Sequence, residues 1–242
     1  MSTEFIRLNK RLAQLGICSR READEYIARG WVNVNGQVAK LGQLVTTTDV
    51  VQCKSPIKIQ QSRKLTLLVN KPLGYVSSQP EKNYPSAQEL ITIDRYWPKN
   101  SSPKFTLPLR GLAPAGRLDI DSTGLLVLTQ DGRIANQIIG RDSVLEKEYL
   151  VKVSGFLSAE GLKLLREGLH LDGEALLPAV VSRVDPQQLR FVLRQGKKRQ
   201  IRRMCELVGL KVIKLKRIRI GRISLAQLPL GRWRLLAKEE FF

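Results

Sequence analysis

The apolar residues of this chain recur at two different periods, and the change from one to the other fixes most of what it can fold into. Up to residue 30 they recur at helical spacing. In "RLNKRLAQLG" Leu8, Leu12 and Leu15 fall on one helical face and Gly16 is placed to end it. In "SRREADEYIARG" Ser19 stands three residues before Glu22, the spacing of a capping box, and Gly30 supplies the stop. Beyond residue 30 the period falls to two. "WVNVNGQVAKLG" alternates Val32 and Val34, turns at Asn35-Gly36 and resumes at Val38, which predicts a hairpin, and "DVVQC" adds a strand. "SPIKIQQSRK", Ser55 to Lys64, is polar and basic and reads as a linker. The expected organisation is therefore a small helix-pair and hairpin domain over residues 1–60 and a larger domain over 61–242.

The larger part mixes strand-length apolar runs with a few helices. "LTLLVNKPLGYVSS" is strand, Pro-Gly turn, strand; "SAQELI" is a short capped helix; 97–114 is a loop rich in Pro and Ser. "RIANQIIG" and "SAEGLKLLREGLHL" read as helices, and "KKRQIRRMCELVGL" as a basic one. "EKEYLVKVSG", "LRFVLRQG" and "KVIKLKRIRIGRISL" read as strands, the first with Tyr149, Val151 and Val153 on one face. Many strands with helices between them predict an α+β fold, a mainly antiparallel mixed sheet flanked by helices. At 242 residues the chain is long enough to bury such a core.

Charge points to the partner. Forty-one Lys and Arg against twenty-two Asp and Glu give +19, and residues 190–234 hold fifteen basic side chains and one acidic. Such an excess answers a polyanion, so RNA or DNA is expected. Arg7, Lys10, Arg11, Arg20, Arg21 and Arg29 crowd the sides of the helix pair that the leucines leave free. The one histidine, His170, sits among apolar neighbours, which removes His-rich metal sites and leaves carboxylate, Tyr, Lys or Arg to carry any chemistry. Cys18, Cys53 and Cys205 are odd in number and far apart, so reduced structural thiols are expected, with neither disulfides nor zinc. No apolar run has membrane-spanning length and the first residues lack the apolar core of a signal peptide, so a cytoplasmic protein is expected.

Against that background "AGRLDIDSTGLLVLTQDG", Ala115 to Gly132, places Asp119, Asp121 and Ser122 immediately before a strand-like apolar run. A carboxylate facing a polyanion is electrostatically costly, so one kept there acts on the ligand or neutralises an arginine. Asp121 and Ser122 read as turn residues that hold the loop carrying Asp119.

The first domain resembles an S4-like RNA-binding domain over "RLNKRLAQLGICSRREADEYIARGWVNVNG". "GRLDIDSTGLL", with "NKPLG" upstream and "EKEYLV" and "RQIRRM" downstream, is similar to the RsuA-like family of pseudouridine synthases, whose members carry such a domain in front. Within that family the chain is most similar to the large-subunit (23S) rRNA branch, at "GICSRREAD", "RQIRRMCE" and "RIRIGRISL". The resemblance implies isomerisation of uridine to pseudouridine in RNA, 23S rRNA first and tRNA second, by a monomer with no cofactor and no metal. It makes Asp119 the catalytic carboxylate, which either attacks the anomeric carbon of the ribose or takes the proton from the neighbouring carbon. Tyr149 matches the residue that stacks on uracil, its alternative being a tyrosine of the strand core, and Arg202 matches the basic partner of the aspartate. Arg117 is expected to contact the RNA backbone or fill the gap left by a flipped nucleotide. Lys197, Lys198, Arg199 and Arg203 join the N-terminal Arg7, Lys10, Arg11, Arg20 and Arg21 as RNA-binding residues, and Lys71 is structural or phosphate-binding. The segment from Tyr84 to Ala113 is longer than this branch leads one to expect, which bears on target choice. Two other readings compete: a non-catalytic RNA-binding or ribosome-assembly factor, and a nuclease holding magnesium on Asp119, Asp121 and Asp131.

Overall fold

A computed structural model describes residues 4–79, 83–98 and 110–242. Most of the loop expected over 97–114 lies outside the described residues.

The N-terminal domain is built largely as its periods predict, except that Leu15 falls past the end of the first helix and is exposed. A short strand β1 (Ile6–Arg7) runs into α1 (Leu8–Gln14), which buries Leu8 and Leu12, and Gly16 turns the chain at φ +69°. Helix α2 (Arg20–Ala28) starts at a complete capping box in which Ser19 N–H donates to Glu22 Oε2 at 2.9 Å and Glu22 N–H to Ser19 Oγ at 3.4 Å. Strands β2 (Val32–Val34) and β3 (Gln37–Val38) form the hairpin, with Asn35 and Gly36 both at positive φ as a type I′ turn requires. Strand β4 (Leu44–Val45) pairs β1, and β5 (Val51–Cys53) pairs β2.

The expected linker is a helix instead. Residues Ser55–Ser62 form α3, with Pro56 in its first turn. Ile57 packs into the core with Leu8, Leu12, Tyr26 and Val32, while the Gln61 amide donates to Glu22 and to the Tyr26 hydroxyl, each at 2.9 Å. Only Ile57 and Gln61 of this helix are buried, so its sequence looks like a solvated tether. The two parts of the chain also touch directly: Lys64 pairs with Glu22, and Gly132 packs so closely on Ser19 that a Cβ there would stand 2.3 Å from the serine Cβ.

The second part is organised on a nine-stranded sheet among the described residues. In chain order its elements are β6 (Thr66–Lys71), β7 (Ala113–Pro114), β8 (Thr123–Thr129), α4 (Gly132–Ile139), β9 (Lys147–Ser154), α5 (Ala159–Glu167), the hairpin β10 (His170–Leu171) and β11 (Glu174–Ala175), β12 (Val180–Asp185), β13 (Gln188–Leu193), α6 (Gln200–Leu207), β14 (Lys211–Ile220), β15 (Ile223–Ser224) and β16 (Trp233–Leu235). The main order is β12-β13-β9-β14-β8-β6-β16, with β15 on β14 and β7 on β8. Its described pairings are antiparallel except β8 with β14. "SAQELI" forms a 3₁₀ turn, Ala87–Leu90, capped by Ser86.

Strands β6 and β8 read as unbroken apolar runs because both of their faces are covered. Leu67, Val69, Leu126 and Leu128 enter a core shared with Leu165 of α5 and with Ile201, Met204 and Cys205 of α6. Their alternates Leu68, Leu125 and Val127 face Ile138 of α4. Helices thus flank the sheet on both sides, and the α+β architecture is the one expected.

Candidate active site

The loop between β7 and β8 carries "GRLDIDS", and four hydrogen bonds fix its shape. The Ser77 hydroxyl donates to the Leu118 carbonyl and accepts from the Leu118 N–H, both at 2.8 Å. Gly74 N–H of "NKPLG" donates to the Ile120 carbonyl at 3.0 Å, and Ser122 N–H closes a turn on the Asp119 carbonyl at 3.0 Å. Two motifs separated by some forty residues are thereby stitched together. Lys71 is fully buried beneath them and donates to the carbonyls of Pro72 and Tyr75, each at 2.9 Å. Burial pushes its ammonium down to about 8 against the pull of Asp119 and Asp121. Of its two expected roles, it occupies the structural one.

Asp119 opens into a cavity of about 790 Å³ whose lining includes Arg117, Tyr149, Lys198, Arg199, Arg202 and Arg217. The structure thus brings together Asp119, Tyr149 and Arg202, but the pairing of charges differs from the expected one. Arg202, 9% exposed, donates through Nη2 to the Asp121 carbonyl at 2.8 Å and stands 3.2 Å from Asp121 Oδ1. Arg199 caps α6 in the left-handed conformation, φ +52°, and its guanidinium bonds both Asp121 oxygens at 3.3 and 3.1 Å. Among the described residues Asp119 has one cation at the edge of contact, Arg199 Nη1 at 3.9 Å, and its side chain stays 37% exposed. Burial raises the Asp121 carboxyl, but the two arginines outweigh it and hold the group below the usual carboxylate range. Asp121 absorbs the arginines, and among the described residues the Asp119 side chain accepts no hydrogen bond.

The floor of the cavity is the sheet. Tyr149 of β9 lies opposite Arg217 of β14 in register, and Lys147 is two residues earlier on the same face. Tyr149 belongs to the core and lines the cavity at once, so its two readings are compatible. Arg217 is 3% exposed; Nε donates to the Leu125 carbonyl at 2.7 Å and Nη1 to the Arg117 carbonyl at 3.2 Å, while Nη2 has no partner. Lys147 is also buried, its Nζ in one contact at 3.4 Å to the Leu145 carbonyl. Burial and then Arg217 hold its ammonium below the ordinary lysine value.

Among the remaining expected RNA-binding residues, Arg117, Lys197 and Lys198 line the cavity, although Lys197 also pairs with Glu174 at 2.5 Å. Arg203 lies outside it, in a two-pronged bond to Asp172 at 2.8 and 2.7 Å. Arg7, Arg20 and Arg21 are exposed and Lys10 and Arg11 half-buried on the N-terminal domain, away from the cavity. Asp131 is likewise elsewhere: it caps α4 and pairs with Arg133 at 2.6 Å. Among the described residues no three His, Cys, Asp or Glu side chains converge as a metal site would need. His170 is exposed. Arg217 and Lys147 escaped the sequence reading. Their signal was phase: each stands at a position in its strand where the pleat turns a side chain inward, alongside Leu215 and Tyr149 respectively.

Comparison with known proteins identifies the family. A family model described as RNA pseudouridylate synthase matches residues 65–207, and an S4 domain model matches residues 6–51. The chain is 38% identical over 237 residues to the dual-specificity RNA pseudouridine synthase RluF of Escherichia coli K12, covering 97% of this chain and 77% of that one. It is 34% identical over 241 residues to the ribosomal large subunit pseudouridine synthase B of Bacillus subtilis, covering 97% and 93%. A crystal structure of a pseudouridylate synthase superposes with a TM-score of 0.64 at 27% identity, covering 96% of each chain. Fold, motif order and full-length similarity coincide, and the chain belongs to the RNA pseudouridine synthase family, with an S4 domain in front of the catalytic domain.

Proposed function

We propose that Asp119 opens the glycosidic bond of a uridine turned into this cavity, and that the RNA is rRNA, 23S before tRNA, modified by a monomer in the cytoplasm. One observation carries the assignment: Asp119 is a half-exposed carboxylate with, among the described residues, a single cation 3.9 Å away, at the mouth of an otherwise basic cavity floored by Tyr149. An ionised carboxylate with free lone pairs is what either attack on the anomeric carbon or abstraction of the neighbouring proton requires. Tyr149 offers its ring to the uracil, Arg202 and Arg199 hold the loop through Asp121, and Arg117 stands exposed at the rim where the RNA backbone passes. Among the described residues no helix is long and apolar enough to cross a membrane, which agrees with a water-borne substrate.

The reaction moves the ribose from N1 to C5, so the hydrogen on C5 must leave. A 23S rRNA transcript tritiated at C5 of uridine is expected to lose label to solvent while its backbone stays whole, at a rate unchanged by EDTA when the RNA remains folded. A binding factor releases no label and a nuclease shortens the RNA, so either result rejects the proposal.

The RNA path is proposed to run from the N-terminal basic residues Arg7, Lys10, Arg11, Arg20 and Arg21 to Lys197, Lys198 and Arg203. Each phosphate contact releases condensed counterions. Lys198→Glu is therefore expected to reduce the slope of log K against log salt by about 1. Lys197→Glu should reduce it less, because Glu174 already holds that ammonium. Equal slopes in wild type and Lys198→Glu would place Lys198 off the path.

The division near residue 60 is also a proposal, and α3 favours a cut after Ser62 because Ile57 belongs to the first core. Residues 63–242 are expected to unfold in one cooperative thermal transition and to bind RNA more weakly than the full chain. A fragment with no such transition would reject two independent cores.

A further inference from the structure

Among the described residues four cationic side chains are buried at the catalytic loop; Arg202 is committed to Asp121, and the others are Lys71, Lys147 and Arg217. Lys71 spends its charge on two carbonyls of its own turn. The other two are less occupied. Arg217 uses Nε and Nη1 on main-chain carbonyls of Leu125 in β8 and Arg117 in the loop, and leaves Nη2 buried and unpartnered. Lys147 has one long contact. Both line the same cavity as Asp119, and both flank Tyr149, Arg217 across the strands and Lys147 along its own. A buried guanidinium nitrogen without an acceptor carries an uncompensated desolvation cost unless a ligand supplies the acceptor. Fixed donors held ready in a dry pocket are the usual means of stabilising charge that appears only during a reaction.

We propose that Arg217 Nη2 and the Lys147 ammonium form the site that receives the negative charge of the detached uracil. The inference rests on the reading of Asp119 given above, and holds for both of its routes. If Asp119 attacks, a carboxylate lone pair forms the bond to C1′ and the C1′–N1 pair leaves on uracil. If Asp119 removes the C2′ proton, the C2′–H pair forms the C1′=C2′ bond and the C1′–N1 pair again leaves on uracil. In each case the base departs as an anion, its charge spread over N1, O2 and O4. A base stacked on Tyr149 has its edge beside Arg217 and Lys147, so both cations meet oxygens that become stronger acceptors as the bond breaks. The charge is consumed when the C5 pair bonds C1′: in the first route the C1′–O pair returns to the Asp119 carboxylate, in the second the C1′=C2′ pair takes the proton back from Asp119 at C2′, and in both the C5 proton then goes to solvent and N1 takes a proton.

The test varies the leaving group. Fluorine at C5 withdraws electrons and makes uracil a weaker base, so 5-fluorouracil leaves with less help. Two 23S rRNA transcripts, one with uridine and one with 5-fluorouridine, are incubated with wild type, Lys147→Met and Arg217→Gln. Loss of the parent nucleoside is followed after nuclease digestion, with RNA affinity measured separately. Lys147→Met leaves the loop's carbonyl anchors in place and is the cleaner variant. The expected result is a fall of roughly 10²-fold in the rate at saturation on uridine RNA, the size of one lost donor, with unchanged affinity and a clearly smaller fall on 5-fluorouridine RNA. Equal losses on the two RNAs would mean a structural role and overturn the proposal. Weakened affinity with an unchanged saturated rate would also overturn it, since these cations would then hold a phosphate. A misfolded Arg217→Gln would show in its thermal transition and leave Lys147→Met to decide. A wild type that consumes neither nucleoside rejects the Asp119 reading itself.

Discussion

Asp119→Asn should abolish release of C5 tritium, by at least about 10³-fold, while leaving RNA affinity within about twofold of wild type. Asparagine keeps the shape of the side chain but cannot ionise, so it serves neither as nucleophile nor as base. Affinity is expected to survive because the Asp119 side chain anchors nothing: among the described residues its nearest cation is 3.9 Å away, and the loop is held through main-chain bonds at Leu118, Asp119 and Ile120 and through Asp121. Asp121→Asn is the contrasting case. It removes the charge facing Arg199 and Arg202, yet the 2.8 Å bond from Arg202 to the Asp121 main-chain carbonyl remains. Its activity should fall by no more than about fivefold, the scale of a partly exposed ion pair. Wild-type release by Asp119→Asn, or a complete loss in Asp121→Asn alone, would transfer the catalytic role from the first carboxylate to another group.

The largest effect on stability is expected at Gly124. It lies at φ +108°, and a Cβ there would stand 2.2 Å from the Arg217 carbonyl oxygen and 2.7 Å from its nitrogen. These atoms are backbone at the point where β8 and β14 run parallel, Arg217 opposite Gly124, and neither strand can yield without parting the sheet. Gly124→Ala combines left-handed strain with this clash and should destabilise the protein by about 3 kcal/mol or more. For a domain of this size that lowers Tm by roughly 6–12 °C. Gly173→Ala is the control: the glycine also has positive φ, +77°, but open space around it, so the cost should be about 1 kcal/mol. Because β14 also carries Arg217, activity at low temperature should drop in Gly124→Ala before the fold is lost. Equal Tm values for the two variants would mean that the strands separate more easily than their packing implies.

Local chemistry made much of this protein readable. The capping box at Ser19 and Glu22, the Asn35-Gly36 turn and the both-faces-apolar runs of β6 and β8 are short-range patterns that fix their own conformation, and the structure keeps them. The local readings fail at α3, where burial of Ile57 by residues far away in sequence makes a helix of a polar segment, and at "YVSS", read as a strand, which makes only an isolated bridge from Val76 to Ser86. The site shows the same limit. Sequence alone marked Asp119, Tyr149 and Arg202 as one group, but not that Arg202 would turn to Asp121, since that depends on Arg199 adopting a left-handed cap that swings a second arginine across the loop. Nor did it mark Arg217 and Lys147, which a linear reading counts among many surface cations. Composition, hydrophobic period and motif order determined the fold class, the basic partner surface and the family. Which carboxylate stays free and which cations lose their water were decided only by tertiary structure, because desolvation and charge pairing depend on what is brought within a few ångströms across the sheet.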